Sequence, residues 1–461
     1  MKLFTPPRPS RLAALPLGLA LLGACAEAKA PPPRPAPTAG ADAGAKRGVS
    51  FIENDFPRAL AEAKRRGVPL FVDAWAPWCH TCLSLRANVL HGGALSAFGD
   101  RFVWASIDTE RDENAAFLER YPVTVWPTLW FLRPDGEPLA RWLGALTADE
   151  LVTLLGEVEA ASKGGAGDGE AAAALVRADQ RAAAGSAAEA LAAYDEARKK
   201  APASWPMRGR LADGYTSTLR QAGKHDECLN VASDELRQLP PGTARANVAA
   251  TALLCGESAA RGDANDAKLE AVAREAESIA GDRAQRLLDD DRSSLYEAVV
   301  SYRKGRGDAA GARRVATVWA AFLEGAASSA QTPEQRAVFD AHRLLARDAL
   351  GQVEQIVPTL EASEREAPND YARSARLALA YHLAHREAEA AAAVERALVK
   401  AYGPRKMRIL SLKADVLEAK GDREGARAAL DEAVRYGETL KLSGGYAKLR
   451  DELRKRLAAG R

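Results

Sequence analysis

Excess charge of either sign is missing from this chain: 64 Lys and Arg stand against 62 Asp and Glu, a formal net charge of +2 over 461 residues. The two signs are interspersed, so there is no basic face or acidic tail to act as a nucleic-acid footprint, and no nucleic-acid partner is expected. Aromatic residues are scarce at 6%, and the tryptophans are unevenly placed, with Trp75, Trp78, Trp104, Trp126, Trp130 and Trp142 inside one window. Beyond that window the chain is rich in Ala, Glu and Arg, a composition that favours helix over strand. The apolar stretch Leu12 to Ala24 is too short to span a bilayer comfortably. The length exceeds a usual single domain, so at least two folding units are expected. Cysteine is sparse, five in all. Two of them form the CxxC of "DAWAPWCHTC", Cys79 and Cys82. A zinc site there would need a second Cys or His pair at fixed spacing in the same region, and none exists. A c-type haem would need histidine directly after Cys82, where Leu83 stands. No metal and no cofactor are expected.

At the N-terminus Lys2, Arg8 and Arg11 precede the apolar stretch, so residues 1–24 read as an export signal. The junction Leu22-Gly23-Ala24-Cys25 resembles a bacterial lipobox. That likeness implies a lipidated Cys25 and a lipid anchor in a membrane; an ordinary cleaved signal with an incidental cysteine is the competing reading. Ala26, in place of the aspartate that retains many lipoproteins at the inner membrane, points to a periplasm-facing protein of a Gram-negative outer membrane. Residues 25–47 are a Pro/Ala-rich tether that cannot build a core. Export places the later cysteines in an oxidising compartment, where a dithiol stays reduced only if electrons are supplied.

Residues 48–162 alternate helix-like and strand-like segments. Amphipathic "FPRALAEAKRRG" stops at Gly67, and the apolar run "VPLFVDAWA" leads into the CxxC. A helical stretch from Thr81 to Leu90 follows, then strand-like "RFVWASID", helical "ENAAFLERY", strand-like "TLWFLRPDG" with a turn at Asp135-Gly136, and a last helix "TADELVTLLGEVEAA". The layout is α/β, with the CxxC at a strand-to-helix junction. There Cys79 faces free backbone N–H groups and the positive end of the helix dipole, which favour thiolate over thiol. Cys82, within the first turn, is placed to attack a mixed disulfide formed on Cys79.

"FVDAWAPWCHTC" resembles the active-site strand and turn of thioredoxins, and the likeness covers most of residues 51–160. It implies that Asp73 is a buried acid accepting the Cys82 proton. It implies too that "WPT", Trp126 to Thr128, is a cis-proline loop in which Pro127 lies against the CxxC and Trp126 presents backbone to an extended substrate. Trp78, His80, Trp126 and Thr128 are the substrate-binding candidates. "LGALTADEL" is similar to the family's closing loop and last helix. "IDTERDEN" and "LRPDGE" look most like the C-terminal domain of the periplasmic disulfide reductase DsbD and related thioredoxin-like lipoproteins, which implies protein dithiol or disulfide substrates and a membrane electron donor. Two departures stand out. His80-Thr81 matches neither the Gly-Pro of cytosolic thioredoxins nor the Pro-His of a strong oxidant, so the redox potential is open; His80 either stabilises the Cys79 thiolate or is an exposed histidine with no special role. Leu83, where thioredoxins often carry lysine, suggests a more apolar contact surface. An inert structural disulfide fits less well than an exposed exchanging pair, given the flanking tryptophans and Pro127.

Residues 163–170 are a Gly-rich linker, and 171–461 hold no strand-like run. "AAAALVRADQRAAAGSAAEALAAYDEARKKAP" fits a tetratricopeptide pattern through Ala178, Ala190, Tyr194, Ala197 and Pro202. Further copies place Leu377, Ala378 and Tyr381 before Ala390, Val394 and Ala397, and Leu410, Ala414 and Leu417 before Ala426, Leu430 and Ala433; Gly307-Asp308 with Ala312 and Ala316 marks another. Residues 201–292 and 325–368 fit poorly and read as irregular repeats. The expected fold is an α/β thioredoxin-like domain followed by an all-α helical repeat domain that binds a protein partner or substrate. His382 and His385 of "HLAH" have helical ligand spacing, but His385 falls at the turn position that Gly421 holds in the sister repeat. "GRGDAAG" from Gly305 follows no strand, so its glycines are turn residues. Cys228 and Cys255 are either a structural disulfide or two buried thiols. The functional expectation is an envelope thiol–disulfide oxidoreductase that reduces exported proteins. Its rival is a repeat-based scaffold lipoprotein whose thioredoxin-like domain serves for docking.

Overall fold

The computed structural model describes residues 48–163, 169–202, 204–442 and 444–459. The export signal, the lipobox with Cys25, the tether and most of the Gly-rich linker lie outside the described residues.

Five strands, β1 (Ile52–Glu53), β2 (Leu70–Trp75), β3 (Val103–Asp108), β4 (Thr128–Leu132) and β5 (Pro138–Leu143), form one sheet in the order β1-β3-β2-β4-β5. β3 runs parallel to β1 and β2, while β4 is antiparallel to both β2 and β5. β2 sits at the centre, and its run Leu-Phe-Val-Asp-Ala is buried throughout, which fits a strand covered on both faces. Alternate residues divide the core. Phe71, Trp104, Leu129 and Phe131 face α4 (Ala148–Ser162). Leu70, Val72, Ile107 and Trp130 face α1 (Phe56–Arg66) and α3 (Ala115–Arg120). The ends of α1 follow from local chemistry: the Asp55 carboxylate accepts the Arg58 N–H, and Gly67 closes the helix at φ 66°. Thr147 and Glu150 form a capping box that starts α4. The post-CxxC helix is α2 (His80–Leu85), continued by a π-helical turn, Arg86–Leu90.

The remainder is helical, in short-looped pairs: α5 (Gly169–Ala183) with α6 (Ala187–Lys200), α7 (Arg208–Gln221) with α8 (His225–Leu236), α9 (Thr243–Gly256) with α10 (Asp263–Gly281), and α11 (Asp289–Gly305) with α12 (Ala309–Ser329). After the short pieces α13 (Pro333–Ala337), α14 (Asp340–Leu350) and α15 (Val357–Glu366) come α16 (Tyr371–Leu383) with α17 (Glu387–Lys400), α18 (Arg405–Ala419) with α19 (Arg423–Glu438), and a last helix, α20 (Gly444–Ala459). Ala178, Ala190, Ala197, Ala390, Ala397, Ala414 and Ala433 are fully buried where paired helices meet, as close approach requires. His385 occupies the left-handed region at φ 58°, as Gly421 does at φ 84°. Residues 208–281 turn out to be two regular pairs. α7 hides this because nearly all its residues are buried, Asp213, Thr216 and Thr218 among them, so no amphipathic stripe remains to read.

Two strands go unread in the sequence, β1 and β5. β5 is the sheet's outer strand, and its edge is covered by α5: the Arg141 backbone N–H donates to Asp179 at 3.2 Å, and its guanidinium donates to the Tyr194 hydroxyl at 2.8 Å. A helix laid on the edge is one way to cover an unpaired strand.

Cys228 and Cys255 are disulfide-bonded, joining α8 to α9. With a sequence separation of 27 between the partners, loop-closure entropy assigns this bond about 3.5 kcal/mol. A Cys228→Ala, Cys255→Ala variant is expected to unfold at clearly lower urea concentration, by circular dichroism, with the Cys79–Cys82 bond intact.

Candidate active site

β2 delivers the chain into the turn Ala76-Pro77-Trp78, and Cys79 caps α2, its Sγ accepting the Cys82 N–H at 3.0 Å. The two cysteines are bonded, with Cα atoms 5.2 Å apart. Cys82 is fully buried and Cys79 retains 4% exposure, so Cys79 is the cysteine nearer to solvent. Trp78 and Trp126 pack around the pair with Ala76, their rings 5.3 Å apart. The Trp126-Pro127 peptide is cis. The Trp126 indole donates to Thr109 at 2.8 Å. Thr128 is buried and its hydroxyl donates to the Val125 carbonyl at 2.7 Å, closing the loop on itself.

Asp73 on β2 is wholly buried, with one carboxylate oxygen unpartnered and the other 3.5 Å from Arg86. Burial pushes its carboxyl up to about 7, with Arg86 opposing and Glu53 adding to the rise. The folded protein therefore holds this proton up to about pH 7, whereas an unfolded chain releases it near pH 4. Between those limits the folded state binds the extra proton, so this group's contribution to stability falls as pH rises from about 4 to about 7 and is level above that. Asp73→Asn is expected to stabilise the oxidised protein by up to about 4 kcal/mol at pH 8 and by little at pH 4. Thermal midpoints across pH 4–8 check this; a gain that does not grow with pH would contradict it.

The face carrying Cys79 is covered by the helices. On one side the His80 imidazole nitrogen Nδ1 lies 2.9 and 3.0 Å from the two carboxylate oxygens of Asp290 on α11. The reading of His80 as an exposed, unengaged histidine is thereby overturned: the ring meets a fully buried carboxylate, which raises its pKa against the opposing effect of burial. Leu83 packs against the helical core containing Val299 and Trp319, so the apolar contact surface it suggested is met by this chain's own helices. On the other side the Trp78 indole donates to Glu110 at 2.9 Å, and the same carboxylate accepts the Arg405 backbone N–H at 2.6 Å and the Tyr446 hydroxyl at 2.9 Å. The Tyr402 hydroxyl donates to Asp108 at 2.6 Å, and the Arg405 guanidinium lies 4.7 Å over the Trp78 ring. The exchanging pair is therefore enclosed, contrary to the expectation that it is exposed.

Sequence reading missed Glu110, Asp290, His342, Tyr402, Arg405 and Tyr446. Asp290 lies in the run Asp289-Asp290-Asp291, which reads as an acidic helix start; only tertiary burial of Asp290 and Asp291 sets them apart. Among the described residues, His80, Asp290 and His342 form the group with metal-ligand proximity. The expectation of no metal weighed the CxxC region and the His382/His385 pair separately, whereas this set joins one residue of the first to two others from the helices. His382 pairs instead with Glu387, at 2.8 Å.

Residues 56–159 match the family described as thioredoxin-like domain. The chain is 32% identical over 109 residues to UBX domain-containing protein 4 of Rattus norvegicus, an alignment covering 24% of this chain and 21% of that protein. It thus spans about a fifth of that relative's length. Thioredoxin 1 of Synechococcus elongatus is 28% identical over 94 residues, covering 20% of this chain and 83% of that protein. Among solved structures, a tetratricopeptide repeat protein from Parabacteroides merdae superposes with a TM-score of 0.41 at 13% identity, covering 62% of this chain and 98% of that one. Residues 56–159 are thus a thioredoxin-like domain bearing a CxxC pair, and a long all-helical, repeat-like region follows it.

Proposed function

We propose that the protein is an envelope thiol–disulfide oxidoreductase that reduces disulfides of exported proteins. The observation that carries this reading is the pairing of Cys79, at the start of α2 with Sγ on the Cys82 N–H, with a wholly buried Cys82. In the dithiol form the Cys79 thiolate attacks a substrate disulfide; one substrate sulfur leaves as thiolate and a mixed disulfide forms. Asp73 takes the Cys82 proton, Cys82 attacks Cys79 Sγ, and the second substrate thiolate leaves. Two electrons have passed to the substrate, and a membrane dithiol donor restores Cys79 and Cys82. The reductive direction is supported by the likeness to DsbD-type domains and by the absence of a Pro-His dipeptide. Acid-quenched alkylation in cells is expected to find the pair mostly reduced, and mostly oxidised once the envelope's reducing pathway is deleted. A pair oxidised in both strains would sink the direction proposed.

Anchoring at the outer membrane through Cys25 belongs to the same proposal, supported by the lipobox and by Ala26. Mass spectrometry of the mature N-terminus should find acyl chains on Cys25; an unmodified start downstream would exclude the anchor.

The scaffold reading gains support from one observation, the enclosure of the CxxC face by α11, α18 and α20. Wild-type function from a Cys79→Ser, Cys82→Ser double variant would establish it in place of the oxidoreductase.

A further inference from the structure

We propose that His80, Asp290 and His342 form a binding site for a divalent cation of the zinc type, set where the redox turn meets the helical region. The three side chains come from the start of α2, from α11 and from α14, and one ligand atom of each lies within 4.8 Å of the others. His80 Nδ1 is 2.9 Å and His342 Nδ1 is 3.7 Å from the same oxygen of Asp290. Ligands about 2.0–2.1 Å from a tetrahedral zinc ion are about 3.4 Å apart, a separation between those two values.

His342 supplies an independent observation. Its ring is completely buried, yet Nδ1 has no hydrogen-bond partner, a costly state for a polar group that core packing alone does not account for. Its Nε2 is paired with the Glu297 carboxylate, 3.2 Å away. A carboxylate behind the outer nitrogen is the arrangement that orients metal-bound imidazoles, and it leaves Nδ1 turned to Asp290. The His80 and His342 ring centroids are only 4.0 Å apart, so two imidazoles crowd one carboxylate. A shared cation satisfies both rings at once. Two imidazoles and a carboxylate suit zinc or its neighbours in the first transition row, whereas calcium and magnesium prefer all-oxygen sites. The buried Arg376 is the opposing charge nearby, and its own carboxylate is Asp340, 3.9 Å away. No sequence spacing could reveal this set, since 210 residues separate His80 from Asp290.

The site is separable from the thiols, because Cys79 and Cys82 offer no thiolate when bonded. Chelator-treated full chain in its oxidised form, titrated with zinc chloride by calorimetry, should bind one equivalent and show a raised thermal midpoint that chelator reverses. His342→Gln and Asp290→Asn should each weaken binding by more than about 30-fold, and His382→Gln should leave it unchanged. No binding to the oxidised chain, binding only in the reduced form, or wild-type affinity in His342→Gln would each overturn the proposal. Should His342→Gln fail to fold, cobalt(II) added to the wild-type oxidised chain decides: ligand-field absorption of a four-coordinate nitrogen and oxygen site supports it, and its absence overturns it.

Discussion

Cys79→Ser should bring reduction of a protein disulfide down to the uncatalysed background, a loss of roughly a hundredfold or more, while Cys82→Ser should still attack and then stall. The asymmetry follows from position. Cys79 is the cysteine that retains any exposure, and its Sγ already accepts a backbone N–H, the contact that stabilises a thiolate. Cys82 is enclosed and can reach a partner only after that partner is joined to Cys79. Cys82→Ser should therefore accumulate mixed disulfides with substrate proteins, seen as thiol-sensitive bands on non-reducing gels and absent from the double variant. Trapped species that form in Cys79→Ser and vanish in Cys82→Ser would reverse the roles.

Opening the enclosure should change the chemistry nearly as much. Gly403 precedes α18 at φ 62°, and a Cβ placed there would lie 2.1 Å from the Glu110 carbonyl oxygen. That is a backbone contact with no flexible group to yield, and it adjoins the carboxylate on which Trp78, Arg405 and Tyr446 converge. Gly403→Val should force this side of the enclosure apart. Alkylation of Cys79 in the reduced protein is expected to quicken by about tenfold or more, the factor that corresponds to a loss of 1.4 kcal/mol in the closed state. Gly421→Val is the control: it imposes similar strain at φ 84° but would meet nothing within 4 Å. Equal alkylation rates in wild type and Gly403→Val, with both folded, would show that these contacts do not govern access.

What could be read in advance was local: the stop of α1 at Gly67 and the start of the last α/β helix at Thr147, while Asp73 was marked by the likeness of "FVDAWAPWCHTC" to thioredoxins. The left-handed turn at His385 was legible because its sister repeat carries glycine there. What escaped depends on partners far along the chain. β5 has all six residues buried, including Arg141, because α5 lies over it, and without that knowledge "PLARWL" has neither alternation nor a clean apolar run. Glu110 and Asp290 look like surface acids until residues 402–446 and the redox turn close over them. The site's chemistry was thus visible and its surroundings were not, since burial of a charge is a property of the assembled chain.

The cover over β5 also bears on how the chain came to be one protein. A Gly-rich stretch between an enzyme-like domain and a run of repeats invites the view that two modules were strung together and could be traded separately. Yet Arg141 finds its partners, Asp179 and Tyr194, on the first helical pair. A chain ending before residue 169 would leave the outer strand open to the next molecule's edge, an invitation to aggregate. The first repeat is in this sense the last layer of the thioredoxin-like domain.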